Sequence, residues 1–171
     1  MKALLVIDML NDFIAEDGVL TTGAAGREII GFIKERIAEF RAQGAPVIFI
    51  CDHHEQDDKE FEMFPAHCLA GSPGSQIIAE LEVQPRDKII TKRRYSAFFG
   101  TELDLYLREK GVEELYLVGV CTNICVLYTA ADARNLGYRV HIYAQGVASF
   151  DEQAHHFALK EAQQVLGCTI L

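Results

Sequence analysis

The sequence predicts an α/β fold: a central, mainly parallel sheet of about six strands, covered by helices in a three-layer α/β/α arrangement. Three observations predict it. Short apolar runs alternate with helix-like stretches along the whole chain, which implies right-handed crossovers between neighbouring parallel strands. Most of those runs are continuous in apolar character and do not alternate, as expected of strands buried on both faces. At 171 residues, half of them hydrophobic, the chain has the length and apolar material of one domain, expected to span 1–171.

Six stretches read as strands: "ALLVI" at 3–7, "PVIFIC" at 46–51, "KIIT" at 88–91, "LYLVG" at 115–119, "RVHIYA" at 139–144 and "CTIL" at 168–171. Between the first two, the segment 27–43 sets Ile29, Ile30, Ile33, Ile37 and Phe40 on one helical stripe and stops at Gly44, before Pro46. Helices are also expected over 101–110, ending at Gly111, and over 125–136, ending at Gly137. A fourth runs to about Leu166, with Ser149 and Glu152 spaced as a capping box. The stretch 52–77 breaks the alternation, and a loop this long within a compact domain is usually functional or disordered.

The net charge of -9, from 25 acidic and 16 basic residues, repels phosphate backbones and anionic headgroups, so neither nucleic acid nor a membrane surface is an expected partner. Asp8 interrupts the first apolar run, and no export signal is expected. Five cysteines, an odd number in mostly apolar surroundings, fit reduced thiols in a cytoplasm.

In open parallel sheets the loops at the carboxyl ends of the strands converge on a site. The residues just past the strands are Asp8, then Asp52 and His54, then Lys92, then Cys121 to Cys125. Any one of them reads most simply as a loop-edge charge or a packed thiol; four strands delivering such residues to one edge is a stronger pattern. With Thr122 as N-cap, Cys125 falls in the first turn of a helix, where free N–H groups and the dipole favour a thiolate. Cys121 lacks that benefit, so Cys125 is the better nucleophile, with Asp8 to take its proton and Lys92 to lower its pKa further.

A second constellation is Asp52, His54 and His67. Residues i and i+2 of an extended segment project to one side, so Asp52 and His54 can grip one ion, to which the long loop returns His67. One carboxylate and two imidazoles suit zinc, manganese or iron. Glu60 is a further donor with Glu62 close behind, although a solvated acidic loop is the simpler reading of both. Cys68 reads as a packing residue, and His53, His141, His155 and His156 as ordinary surface or core positions.

Four ordered motifs carry a resemblance that runs nearly end to end: "VIDMLNDF" at 6–13, "CDHHE" with "FPAHCLAGSPG", "TKRRYSAFFGTEL", and "GVCTNICVLYTAADA". In these the chain resembles the isochorismatase-like cysteine hydrolases, and among them the nicotinamidases. The resemblance implies roles: Asp8 as acid/base, Lys92 as the catalytic lysine, Cys125 as the nucleophile, and backbone N–H groups of Cys121 and Cys125 as the oxyanion hole. It also implies Asp52, His54 and His67 as ligands of one divalent metal, zinc first, with Glu60 a ligand in some members. Phe13 would pack on a substrate ring, with Tyr95 and Phe98 beside it, and the Val120–Cys121 peptide would be cis. The implied reaction is hydrolysis of nicotinamide through a cysteine thioester. An amidase acting on a carbamoyl or ureido group and, further off, an isochorismatase are the alternatives, in each case with a small-molecule substrate and often a homo-oligomeric enzyme. Cys121 and Asn123 depart from the alanine and aspartate common in the family.

Overall fold

A computed structural model describes residues 1–171. All six expected strands form: β1 (Lys2–Ile7), β2 (Val47–Asp52), β3 (Lys88–Lys92), β4 (Glu114–Val120), β5 (Arg139–Ala148) and β6 (Thr169–Ile170). They make one sheet in the order β3-β2-β1-β4-β5-β6, and every pairing is parallel.

Helices cover both faces, and the pleat of β1 shows how. Ala3, Leu5 and Ile7 point to one side, into a core with Leu103 and Leu107 of α4 (Leu103–Glu109), Ala130 and Ala133 of α5 (Leu127–Asn135) and Ala162 of α6 (Glu152–Gln164). Leu4 and Val6 point to the other, where Ile33, Ile37 and Phe40 of α3 (Ile30–Ala42) and Phe13 of the short α1 (Asn11–Ile14) meet them. Truncating any of these fully buried leucines or isoleucines to alanine would cost about 2–5 kcal/mol.

The helix expected over 27–43 is two helices, α2 (Gly23–Glu28) and α3, separated at Ile29. Ile33, Ile37 and Phe40 of the predicted stripe are buried in α3, which ends before Gly44, at φ +67. The capping box expected at Ser149 does not form. Strand β5 runs on to Ala148, and the cap of α6 is Asp151, whose carboxylate accepts a hydrogen bond from Ala154 N–H at 3.0 Å. Ser149 Oγ instead donates to Asn123 Oδ1 at 2.6 Å.

Thr122 is likewise not an N-cap. Residues Thr122–Val126 form a single π-helical turn ahead of α5, and Thr122 Oγ1 lies 2.8 Å from Nδ1 of His155. The Val120–Cys121 peptide is cis. No helix is long and apolar enough to cross a membrane, and all five cysteines are free and buried.

Candidate active site

The strand order reverses between β1 and β4, and in open parallel sheets the crevice beyond the carboxyl ends at such a reversal is where ligands bind. Asp8 follows β1 and Cys121 follows β4 at that point. The two strands approach closely through Gly119, where a Cβ would lie 1.9 Å from the Ile7 carbonyl oxygen and φ is +116. Asp8 turns the chain at φ +51, a left-handed conformation that aspartate tolerates better than a β-branched residue would. Its Oδ1 accepts a hydrogen bond from Asp52 N–H at 2.9 Å, which ties the ends of β1 and β2 together.

Lys92, the last residue of β3, reaches into the space between these ends. Its Nζ lies 2.8 Å from Asp8 Oδ2 and 3.4 Å from Cys125 Sγ, and also donates to Asp52 Oδ1. Asp8, Lys92, Asp52 and Cys125 are all buried. Burial is the largest influence on each ionisation. It raises the Asp8 carboxyl to about 6, the Asp52 charge adding to it and Lys92 opposing. At Asp52 burial raises the pKa too, but Lys92 and the hydrogen bonds of His54 and His67 outweigh it and hold the group well below the usual carboxylate range. Burial alone would also lower Lys92, yet Asp52 and Asp8 keep it well above an ordinary lysine.

The Cys125 thiol departs from expectation. Burial pushes its pKa well above the ordinary value, with Lys92 pulling it down and the Asp8 and Asp52 charges pushing it up. A helix dipole favours a thiolate in a regular α-helical first turn, but this sulfur sits in a π turn, buried and close to two carboxylates. The thiol is therefore harder to ionise than a free one, and a carboxylate oxygen of Asp8 lies within 4.8 Å of its sulfur. Cys121 is also raised, to about 12, by burial first and then by Asp8.

The long loop is ordered and returns to the same edge. His54 N–H donates to the Cys68 carbonyl at 3.0 Å and Ala70 N–H to the His54 carbonyl at 2.9 Å, so the chain past β2 pairs with the residues just after His67. Helix α1 pins the loop from the other side: Asp12 Oδ2 accepts from Cys68 N–H at 2.7 Å, and Asn11 Nδ2 donates to the Pro73 carbonyl at 2.8 Å. Nε2 of His54 lies 3.6 Å from Asp52 Oδ2 and 4.0 Å from Glu60 Oε1; Nε2 of His67 lies 3.8 and 4.0 Å from the same two atoms. All four residues are buried, Glu60 included, so the acidic loop is not simply solvated at that position. His54 Nε2 is buried with no hydrogen-bond partner, while its Nδ1 is engaged by Asp58 at 3.1 Å and that of His67 by the Pro65 carbonyl at 2.8 Å. Two imidazoles presenting free Nε2 atoms toward two carboxylates, all donors within 4.8 Å of one another, fit a divalent cation such as zinc.

Between the two groups lies a small cavity lined by Phe13, Leu20, Glu60, Phe64, His67, Tyr95, Cys121, Ile124, Cys125 and Phe150. Phe13 and Tyr95 are thus at the expected pocket. Phe98 is not: its ring packs on Tyr138, 5.8 Å between centroids, because the residue belongs to the core on the α4 side. Leu20, Phe64, Ile124 and Phe150 are lining residues the sequence did not reveal; Phe64, three residues before His67, carried the nearest signal. Asp58 was also missed, although it stands four residues after His54 and opens a helical turn at Lys59–Glu62.

A family model described as the isochorismatase domain matches residues 2–170. The chain is 41% identical to the uncharacterized isochorismatase family protein PncA of Bacillus subtilis, over 99% of this chain and 98% of that protein. Among solved structures, the pyrazinamidase/nicotinamidase of Streptococcus mutans superposes with a TM-score of 0.94 at 40% identity, covering 100% of both chains. The pyrazinamidase of Pyrococcus horikoshii in complex with zinc superposes at 0.93, with 31% identity over 99% of this chain and 98% of that one.

Proposed function

This chain belongs to the isochorismatase family, and on that premise we propose that it is a cysteine amidohydrolase of the nicotinamidase type, converting nicotinamide and water to nicotinate and ammonia. One observation carries the reading: Cys125 and two members of the four-donor cluster, Glu60 and His67, line the same largely apolar cavity, with aromatic walls between them. A flat heteroaromatic amide offers a carbonyl carbon to the sulfur and a ring nitrogen to the opposite end. The match to a pyrazinamidase and nicotinamidase over the full chain supports the same substrate class.

The chemistry follows from the buried charges. Asp8 takes the thiol proton while Cys125 sulfur bonds to the carboxamide carbon, and the carbonyl electron pair moves onto oxygen. The Cys121 N–H, which donates to no backbone carbonyl, and the Cys125 N–H are assigned to receive that oxyanion. Collapse breaks the carbon–nitrogen bond as Asp8 returns the proton to nitrogen, and ammonia leaves. Water then adds to the thioester, Asp8 accepting its proton; the carbon–sulfur bond breaks, Asp8 passes that proton to the departing sulfur to restore the thiol, and the acid product loses its own proton to solvent and departs as nicotinate. Lys92 stays an ammonium throughout and offsets whichever of the sulfur and Asp8 is negative. A divalent cation held by Asp52, His54, Glu60 and His67 would supply a Lewis-acid anchor for the substrate nitrogen or for water. A carbamoyl or ureido substrate would use the same three residues but leave this donor cluster without a role.

The test is ammonia release from nicotinamide by purified protein supplied with zinc or manganese. Release that Cys125→Ala abolishes is the expected result; none above that variant at saturating metal would remove nicotinamide as the substrate.

A further inference from the structure

We propose that Asp58 is the positioning residue of the metal centre, one carboxylate that sets two of its four donors and is itself clamped by Arg93 and Arg94. The proposal rests on the reading of Asp52, His54, Glu60 and His67 as a cation site. Asp58 Oδ2 engages Nδ1 of His54 at 3.1 Å. A carboxylate at Nδ1 fixes the ring orientation and keeps the proton on that nitrogen, which leaves the lone pair on Nε2, the buried atom that has no partner in the protein. Its other oxygen, Oδ1, accepts a hydrogen bond from Glu60 N–H at 3.0 Å. That bond caps the turn Lys59–Glu62 and so directs Glu60 toward the cluster. His54 and Glu60 stand at separate points of one loop, and Asp58 bonds to both.

Asp58 is held in turn by the residues just past strand β3. Arg93 Nε donates to Oδ2 at 3.0 Å and Arg94 donates from one guanidinium nitrogen to Oδ1 at 3.0 Å. The Asp58 side chain is fully buried, whereas Arg93 and Arg94 are partly exposed, so the clamp closes from the solvent side. Consecutive residues of one short segment thus serve two ends of the cavity: Lys92 faces the thiol and its two neighbours fasten the metal loop. With two arginines neutralising it, Asp58 adds little net charge to the centre. Its effect is on geometry and tautomer, which makes it a positioning residue and not a ligand.

The experiment is a titration of metal-free protein with cobalt(II), followed by visible absorption, and with zinc in competition with a chromophoric chelator. In Asp58→Asn the affinity should fall about 10–100-fold, the range typical for loss of such a partner, and the cobalt spectrum should change as Glu60 or His54 leaves the coordination sphere. Thermal melts of the metal-free proteins separate this from a merely structural role, which would lower the melting temperature and leave the affinity of the folded protein unchanged. The double variant Arg93→Ala/Arg94→Ala keeps Asp58 but frees it, and a several-fold weaker affinity is expected even where Asp58→Asn fails to fold. Wild-type affinity in both variants would overturn the proposal. Absence of stoichiometric metal binding by the wild-type protein would instead overturn the cation site itself, and this proposal with it.

Discussion

The Lys92 ammonium lies 3.4 Å from the Cys125 sulfur; both residues are buried, and Cys125 lines the cavity. The same nitrogen contacts Asp8 and Asp52, so a single positive charge separates two buried carboxylates. Replacing it with an apolar side chain leaves those carboxylates facing each other out of water. Lys92→Met should therefore lose about 3–5 kcal/mol of stability, the usual cost of breaking a buried ion pair from one side. Ammonia release should vanish as well. Denaturant unfolding of the metal-free variant checks the first expectation, and an unchanged midpoint would mean that the carboxylates are not held as charges.

Gly119 sets the spacing of the two central strands. An added methyl would meet the Ile7 carbonyl oxygen at 1.9 Å, and the residue has φ +116, so neither space nor backbone admits a side chain. Gly119→Ala should cost about 1–3 kcal/mol or more as β1 and β4 are forced apart, lowering the melting temperature by roughly 2–12 °C for a chain of this size. Because Asp8 and Cys121 follow these two strands, activity should fall further than stability alone accounts for. A variant with the parent melting temperature would contradict the close approach.

The Asp8 carboxyl is raised to about 6 by burial and by the Asp52 charge. With Asp8 as the proposed base, only its ionised form takes the thiol proton, so kcat/KM should fall tenfold per pH unit on the acid side of that ionisation. The sign of the metal effect follows: a cation on Asp52 cancels part of its charge, removes a cause of the upward shift, and moves the acid limb below 6. A pH profile at saturating metal should show a midpoint no higher than about 6. An acid limb centred above 7 would point to another group as the base.

The sheet was legible because its evidence is local. Each strand is a short apolar run, and β1 carries the two-sided burial in its own sequence as Ala3, Leu5 and Ile7 against Leu4 and Val6. The approach of Asp8, Lys92 and Cys125 followed from the strand ends, and the resemblance of four motifs supplied their expected roles. What could not be read depends on partners far along the chain. Asp58 is held by residues 35 and 36 positions away, Thr122 by His155 and Ser149 by Asn123, and no window of sequence contains both members of any pair. Ser149 and Thr122 look like caps because a hydroxyl near a helix start is an adequate local signal. Both hydroxyls instead bond across to another segment, binding the turn that carries Cys125 to the start of α6. Phe98 was misplaced for a related reason: Tyr95, Phe98 and Phe99 follow Lys92 in one short stretch, and only the packing of Tyr138 decides which ring turns away from the cavity.

Phe13 gives the remaining prediction, on substrate binding. Its ring lines the cavity and meets His67 edge-on, 5.6 Å between centroids, so one face of the pocket and one proposed metal ligand share an aromatic wall. A flat substrate ring would gain from that wall about 0.5–1.5 kcal/mol beyond the area buried, and equally before and during reaction, because the ring does not change as the amide carbon becomes tetrahedral. Interactions of equal strength in both states raise KM on removal and spare kcat. Phe13→Leu, which keeps the site apolar, should thus raise KM for nicotinamide by roughly 2–12-fold with kcat nearly constant. Metal content measured on the same preparation guards against an indirect effect through His67. If kcat fell while KM and metal content held, Phe13 would be positioning the reacting groups and not receiving the substrate ring.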